Sequence, residues 1–263
     1  MCNDEYVVPC SVMLYSFLKN NPYYNGTITI LHDNKIIPLS DESKNTLSKL
    51  YGKIVFKELN YDEYSDIFEH CKGISYDGIL CTYYKFEILR QNEYDKIIWL
   101  DSDMCVCGSL IDALNIDAGL VGVNFRKNDD GERIYINTGF LVIDKTKIKI
   151  ENPCEYLKDK ALNCDIYYFT NFISPEFRGK YGDESIFNEE FEKMFDNIVC
   201  VDKSYNYMQK PTDWKFKEEY AKIIHYMSKN KKDKPHVMLD KISKYHIVWK
   251  KYFDECESFL NGK

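Results

Sequence analysis

Residues 94–109 read YDKIIWLDSDMCVCGS, and this stretch decides the fold. The run Lys96–Leu100 is apolar and rich in β-branched residues, which predicts an interior strand of a parallel sheet. Asp101 and Asp103 follow at its carboxyl end, where open α/β sheets bind their ligands. Continued strand alternation predicts that the two carboxylates share one face and that Ser102 points the other way.

Two carboxylates this close repel each other unless a cation lies between them. We therefore predict that Asp101 and Asp103 bind a divalent metal that carries a phosphorylated substrate. The Asp-x-Asp spacing is weak support by itself, because such triplets arise by chance in a chain rich in aspartate. An ordinary acidic loop is the alternative interpretation.

Composition narrows the class of protein. The 263 residues, 44% of them hydrophobic, suit one domain over 1–263, with no linker or repeat. A net charge of −7 argues against nonspecific nucleic-acid binding. We expect no transmembrane segment, because no run of 18 uncharged apolar residues occurs. The ten cysteines lack zinc spacing, which favours a reducing, cytoplasmic compartment.

Hydrophobic periodicity predicts an α/β protein. Helices are predicted over Pro9–Asn20, 41–51, Gly78–Gln91, 153–169, within Tyr181–Phe195 and within Met238–Leu260. Strands are predicted over Thr27–His32, Lys53–Leu59, Lys96–Leu100, Gly119–Phe125, Ile134–Asp144, Asn197–Val201 and Lys222–Tyr226. Alternation of strands and helices in the first 125 residues implies right-handed βαβ units and a mostly parallel sheet flanked by helices.

Five further segments occur in a recognisable order around LDSDM: CNDEY at 2–6, TYYKFEIL at 82–89, NTGFLVID at 137–144, GDESIFN at 182–188 and IIHYMSKNKKDKP at 223–235. Together these segments resemble the glycogenin-like retaining glycosyltransferases, family 8. The resemblance implies a GT-A fold, a UDP-sugar donor and a divalent metal, Mn²⁺ or Mg²⁺. It also implies a nucleotide-binding half over 1–125 and an acceptor half over 126–263.

The resemblance assigns roles to particular positions. Asp101, Asp103 and His225 match the metal ligands of the family, and two carboxylates with one imidazole suit Mn²⁺ or Mg²⁺. A surface or core histidine is the alternative for His225. The residues expected to bind the donor are Asn3, Asp4, Tyr6, Lys85, Ser102, Asn137, Thr138, Gly139, Lys231 and Lys234. Which of Lys229, Lys231 and Lys234 contacts phosphate is open, since the lysine run departs from the family pattern.

The segment GDESIFN carries the predicted catalytic residues Asp183 and Glu184, with Lys85 as a third. The family usually has Asp-Gln-Asp here, so Glu184 replaces a neutral amide and Ser185 replaces a carboxylate. Either change is expected to alter sugar choice or to lower activity. Capping of the following helix is the alternative role for Asp183.

Family members begin with a β-strand directly before the segment at 2–6, and this chain starts at Met1, so we expect that first strand to be missing. The leading hypothesis is metal-dependent transfer of a hexose from a UDP-sugar to an acceptor hydroxyl of a glycan, lipid or protein, with retention. A catalytically impaired module that binds a nucleotide-sugar or a protein, and a nucleotidyltransferase, are the rivals. The donor sugar, the acceptor and the oligomeric state, with a homodimer as one alternative, stay open.

Overall fold

The structure is a computed structural model that describes residues 1–72, 80–127, 134–163, 182–208, 220–226, 234–237, 239 and 246–262. The chain forms two compact units. The first unit consists of Met1–Glu58, Leu100–Leu114 and Lys203–Lys263, and the second consists of Leu59–Trp99 and Asn115–Asp202. The predicted division into halves at residue 125 stays a prediction.

The α-helices are α1 (Val7–Asn20), α2 (Asp41–Ser48), α3 (Ser65–Cys71), α4 (Ile111–Leu114), α5 (Pro153–Asn163), α6 (Asp183–Met194) and α7 (Ile247–Leu260). The strands are β1 (Ile28–His32), β2 (Ile54–Glu58), β3 (Lys96–Leu100), β4 (Met104–Val106), β5 (Leu120–Lys127), β6 (Ile134–Asp144), β7 (Ile198–Val201), β8 (Tyr207–Met208) and β9 (Ile223–His225). Short 3₁₀ helices cover Asp4–Tyr6, Tyr61–Glu63, Lys145–Lys147, Lys203–Asn206 and Pro235–Val237.

Most of these elements match the sequence predictions, and the bounds of β3 match residue for residue. Its predicted interior position does not match, because among the described residues β3 stands at the end of its sheet, beside β6. The helix predicted over Gly78–Gln91 differs, because Leu80–Arg90 is a 3₁₀ helix. Seven consecutive residues of it, from Tyr83 to Leu89, are buried. A 3₁₀ run of this length is uncommon, and hydrophobic spacing does not distinguish it from an α-helix. Residues 164–169 of another predicted helix lie outside the described residues.

Both parallel and antiparallel pairs occur in the sheets. In the first unit, β1 and β2 run parallel on either side of α2 in sequence, as the predicted βαβ unit requires. A separate sheet has the order β4-β9-β8, with β9 antiparallel to β4 and parallel to β8. The second unit contains a four-stranded sheet in the order β3-β6-β5-β7, in which β5 is antiparallel to β6 and parallel to β7.

In the first unit, α1 holds β4 in place. Ser16 Oγ accepts a hydrogen bond of 3.0 Å from the backbone N–H of Val106, and Asn20 Nδ2 donates one of 2.9 Å to its carbonyl. A buried cluster that includes Val12, Cys105 and Trp249 fills the space beneath. Because both backbone polar groups of Val106 bond to α1, these two hydrogen bonds hold β4 in position along the strand and across the sheet.

In the second unit, β6 is buried and approaches β5 closely. A Cβ at Gly122 of β5 would lie 2.5 Å from Ile136 Cγ2, so only glycine fits there without displacing Ile136. The β5–β6 register shifts between Gly122 and Val123. Helix α6 packs Phe187 against Phe86 with ring centroids 5.4 Å apart.

At the N-terminus, the backbone N–H of Cys2 donates to Leu31 O at 3.1 Å, and that of Asp4 donates to Pro38 O at 3.0 Å. These residues therefore run beside the end of β1. The expected loss of a family strand stays a prediction. The nine cysteines in the described part of the chain form no disulfides with one another.

Candidate active site

A carboxylate pair and an imidazole converge in the first unit. Ligand atoms of Asp101, Asp103 and His225 all lie within 4.8 Å of one another. His225 Nε2 is 3.2 Å from Asp103 Oδ1 and 3.9 Å from Asp101 Oδ2. The structure thus brings together the three residues that the sequence predicted as metal ligands.

Strand pairing accounts for this convergence. His225 ends β9 and lies opposite Met104, the first residue of β4. The ladder continues one bond further, because the backbone N–H of Tyr226 donates to Asp103 O at 3.1 Å. Strand β3 ends at Leu100, so a turn at residues 101–103, and not continued strand alternation, directs both carboxylates to His225. The prediction that both carboxylates share one face agrees with this convergence, but the stretch that carries them is a turn and not a continued strand.

Asn206 orients the imidazole of His225. Its Oδ1 lies 3.0 Å from Nδ1 of the buried ring. Because an amide oxygen only accepts, Nδ1 carries a proton, which leaves Nε2 as the ring nitrogen that could bind a metal. Metal-binding histidines commonly have this arrangement, in which a hydrogen bond to one ring nitrogen fixes the other as the ligand. The sequence offered no signal for Asn206, since strand pairing alone brings it to His225.

Lys234 contacts the other carboxylate oxygen of Asp103, Oδ2. Burial by itself would raise the pKa of Asp103, but His225 and Lys234 outweigh it and hold the pKa well below its usual range. The Lys234 ammonium also lies 5.8 Å from the Tyr6 ring centroid, and the ring of Tyr6 is 5.4 Å from that of His236. Lys231, the other predicted phosphate ligand, lies outside the described residues, as does Lys229.

The predicted nucleoside-binding residues also have local structural partners. Asn3 Oδ1 accepts a bond of 3.1 Å from the backbone N–H of Tyr6. Asp4 Oδ1 accepts bonds from Ser40 N and Ser40 Oγ, each at 2.9 Å, and from Ser43 Oγ at 2.6 Å. These bonds from Ser43 and Ser40 lower the pKa of Asp4 and tie its carboxylate to the start of α2. Their roles toward a nucleoside stay predictions.

A second polar cluster lies within the second unit. The buried Lys85 ammonium is 3.1 Å from Asp183 Oδ2 and donates to Thr138 O at 3.2 Å and to Thr138 Oγ1 at 3.1 Å. Glu184 Oε2 accepts from Asn137 Nδ2 at 2.7 Å and from the backbone N–H of Thr138 at 3.2 Å. The structure thus brings together both carboxylates of the GDES segment, the predicted lysine and the Asn-Thr segment of β6.

The geometry does not support the alternative in which Asp183 caps the following helix. Helix α6 begins at Asp183, and its N-cap is Gly182, with no side-chain capping bond. The Asp183 carboxylate instead contacts Lys85 and accepts from Thr138 Oγ1 at 3.3 Å. The neighbouring Gly139 donates its N–H to Asn137 Oδ1 at 3.1 Å.

The carboxyl pKa of Glu184 lies above its ordinary value. Burial, together with the adjacent charge of Asp183, raises its pKa from 4.5 to about 7. Hydrogen bonding from Thr138 and the charge of Lys85 act in the opposite direction but are weaker. A carboxyl group that titrates near neutral pH is typical of functional sites.

The residues of the first cluster fit a divalent cation. Two carboxylates and one imidazole nitrogen match the ligands that Mn²⁺ accepts, and they leave further positions for diphosphate oxygens. Two carboxylates this close repel one another unless positive charge lies near them, which is a second reason for the fit. Among the described residues, no helix is both long and apolar enough to cross a bilayer.

Comparison with known proteins identifies the family. The family model described as Glycosyl transferase family 8 matches residues 1–235. Glycosyltransferase GlyF of Streptococcus pneumoniae serotype 4 is 30% identical over 162 residues, which cover 57% of this chain and 37% of GlyF. The chain therefore spans little more than a third of the length of that curated relative.

Two solved structures show the same fold. The galactosyltransferase LgtC, in complex with donor and acceptor sugar analogs, is 16% identical with a TM-score of 0.62, covering 99% of this chain and 94% of LgtC. GlyE of Streptococcus pneumoniae TIGR4 is 20% identical with a TM-score of 0.63, covering 99% of this chain and 62% of GlyE. The family match and the shared GT-A fold agree with the order of the six sequence segments, and the chain belongs to glycosyltransferase family 8.

Proposed function

We propose that this glycosyltransferase transfers a hexose from a UDP-sugar to an acceptor hydroxyl, with retention of anomeric configuration and with Mn²⁺ or Mg²⁺ as cofactor. The observation that carries the proposal is the convergence of Asp101, Asp103 and His225 within 4.8 Å. LgtC, which shares the fold, has been crystallised with donor and acceptor sugar analogs. We extend that ligand class to this chain.

Asp101, Asp103 and His225 would hold the metal, with Asn206 fixing the ring of His225. When bound, a divalent metal supplies Lewis-acid neutralisation of charge that develops on the leaving diphosphate. Lys234 adds a positive charge from the chain itself, next to Asp103. A cation fixed in a partly buried position stabilises phosphate charge more strongly than one in bulk water.

The second cluster suits a sugar that gains positive charge. It contains two carboxylates, Asp183 and Glu184, and one buried ammonium, Lys85. With both carboxylates ionised, this group is net negative, which favours an oxocarbenium-like transition state. Asp183 would orient the sugar or stabilise its charge. Lys85, bonded to Asp183 and Thr138, would fix that carboxylate, and direct contact with the donor phosphates stays a prediction.

We favour substitution on one face of the sugar. The acceptor oxygen forms a bond to the anomeric carbon, the bond from that carbon to the diphosphate oxygen breaks, and the acceptor proton passes to the departing phosphate. This route needs no covalent intermediate on the protein. Glu184 is a poor covalent nucleophile, which agrees with this route. Its Oε2 already accepts two hydrogen bonds, and its pKa lies near 7.

The second candidate function is binding without catalysis. It is favoured by Glu184 and Ser185, which stand where the family usually has an amide and a carboxylate. A module of this kind would bind a nucleotide-sugar, or only a protein partner, without transferring the sugar. Hydrolysis and transfer assays with and without Mn²⁺ separate the two candidates.

The primary experiment is a thermal-shift screen of UDP-hexoses with Mn²⁺, followed by turnover measurements on the donors that bind. A ligand that binds only the folded state raises the melting temperature, by an amount that depends on its concentration relative to Kd. We expect at least one UDP-hexose to give a shift that requires the metal. Absence of a metal-dependent shift with every UDP-hexose would contradict the proposal, and binding without turnover would favour the inactive module.

A further inference from the structure

Asn188 of α6 binds both backbone polar groups of one residue in β6. Its Oδ1 accepts from the N–H of Ile136 at 2.7 Å, and its Nδ2 donates to the carbonyl of Ile136 at 2.8 Å. The same Nδ2 donates to the carbonyl of Glu184, one helical turn earlier, at 2.7 Å. The side-chain amide therefore pairs with Ile136 as a neighbouring strand would.

These bonds lie next to the proposed sugar-binding cluster. The two residues that follow Ile136 are Asn137 and Thr138, and both donate to Glu184 Oε2. Three consecutive residues of β6 are thus tied to the first two turns of α6, by Asn188 at one end and by Glu184 at the other. Asp183 precedes Glu184 and contacts Thr138 Oγ1 at 3.3 Å, so the same connection sets its position.

Ile136 has little freedom to move if its hydrogen bonds to Asn188 are lost. Its Cγ2 would lie 2.5 Å from a Cβ at Gly122, so the strand already approaches β5 as closely as glycine allows. Movement of β6 in that direction is blocked, and buried backbone groups that lose a partner carry a desolvation cost. Loss of the Asn188 amide is therefore expected to displace the start of α6 relative to residues 136–138.

We propose that Asn188 is a positioning residue for sugar transfer, which holds Asp183 and Glu184 in register with Asn137 and Thr138; this inference rests on the proposed function. Asn188 bonds to backbone groups and to no reacting atom in this arrangement. Its effect on the reaction is transmitted by the register between α6 and β6. A displacement of about 1 Å at a reacting group lowers turnover by about 100-fold in well-positioned sites.

The test compares Asn188→Ala with Asn163→Ala. Asn163 lies in α5 of the same unit, and its Nδ2 also donates to the carbonyl four residues earlier, Asp159 O, at 2.9 Å. Its bonds to Asp159 O and Asp159 Oδ1 both stay within α5. We expect Asn188→Ala to lower kcat by about 10- to 100-fold with a small change in donor KM. Asn163→Ala should leave both constants near wild type.

Amide hydrogen exchange provides a readout that does not depend on activity. The N–H groups of Ile136 and Thr138 should exchange faster in Asn188→Ala than in the wild type, while amides of β5 keep their protection. This pattern would show local displacement rather than general unfolding. Unchanged kcat, or equal loss of protection in β5 and β6, would overturn the inference.

Failure of the proposed function would give different results from failure of the inference about Asn188. If the wild-type protein transfers no sugar from any UDP-hexose, the proposed function falls, and exchange at Ile136 and Thr138 still decides whether Asn188 holds the register. If the wild type is active and Asn188→Ala is equally active, only the inference about Asn188 falls.

Discussion

The Nε2 atom of His225 lies 3.2 Å from Oδ1 of Asp103, although the two residues are far apart in the chain. The antiparallel pairing of β9 with β4 produces this approach, because His225 is opposite Met104, the residue after Asp103. Asp101 completes the group from the end of β3. The candidate metal site therefore depends on strand register, and we expect it to respond to changes in the residues that hold that register.

Asp103→Asn should abolish metal-dependent turnover of the UDP-sugar while the chain stays folded. The substitution removes one charged ligand, and we expect Mn²⁺ affinity measured by calorimetry to fall by more than about 100-fold. Asp112→Asn is the matched control, since Asp112 is an exposed aspartate of the same unit that pairs with Lys222. Full metal-dependent activity in Asp103→Asn would refute the ligand assignment.

Asn206→Ala should weaken Mn²⁺ binding without removing a ligand. Loss of the bond to Nδ1 frees the ring of His225 to rotate and to change tautomer, and such changes typically reduce metal affinity by about 10- to 100-fold. Calorimetric titration with Mn²⁺ alone measures this effect. Asn261→Ala serves for comparison, because Asn261 caps the end of α7 through Glu257 O, and it should bind Mn²⁺ as the wild type does.

Glu184→Gln should change the pH dependence of stability. The pKa of Glu184 is raised by folding from 4.5 to about 7, so this group stabilises the folded state at low pH and that contribution is lost as the pH rises through this window. Glutamine keeps an oxygen for Asn137 and Thr138 and does not titrate. Relative to wild type, the variant should gain up to about 3 kcal/mol between pH 4.5 and 8.

Denaturant unfolding at several pH values measures this difference in the free energy of unfolding. Glu257→Gln, at an exposed position of α7, is the control and should differ little from wild type at any of these pH values. A stability difference between Glu184→Gln and wild type that is the same at pH 4.5 and pH 8 would contradict the assigned direction.

Lys85→Met should destabilise the second unit and reduce turnover. Removal of one partner from a buried ion pair leaves an uncompensated charge on Asp183 and costs about 3 kcal/mol. Lys72→Met removes an exposed lysine that pairs with Glu69 three residues away, and it should cost less than about 1 kcal/mol. Equal unfolding free energies for the two variants would show that the Lys85 pair is not buried in solution.

Local sequence patterns predicted most elements of the fold. The apolar run of β3 and the parallel pair β1 and β2 follow from hydrophobic spacing and turn residues. The order of the six motifs led to the family and identified Asp101, Asp103 and His225 as candidate metal ligands. The strand predictions are local, since each depends on residues of one segment, whereas the motif order draws on segments from residue 2 to residue 235.

Other features depended on packing. The 3₁₀ conformation of Leu80–Arg90 was not predicted, because hydrophobic spacing does not distinguish it from an α-helix. Asp4 was predicted from its motif as a donor-binding residue, while its contacts with Ser40 and Ser43 come from the approach of two segments. Asn188 was part of a recognised motif, yet its role at Ile136 was not visible there.

The sequence by itself determined the chemistry available to this protein: an acidic pair after an apolar strand, a distant histidine, and a family order of motifs. Only the tertiary structure decided which polar side chains fix that chemistry in place. Asn206 reaches His225, and Asn188 reaches Ile136, through the pairing and packing of distant segments. Residue spacing along the chain predicts strands and helices. Contacts between these elements depend on register, which is a property of two paired segments and is not encoded in either one alone.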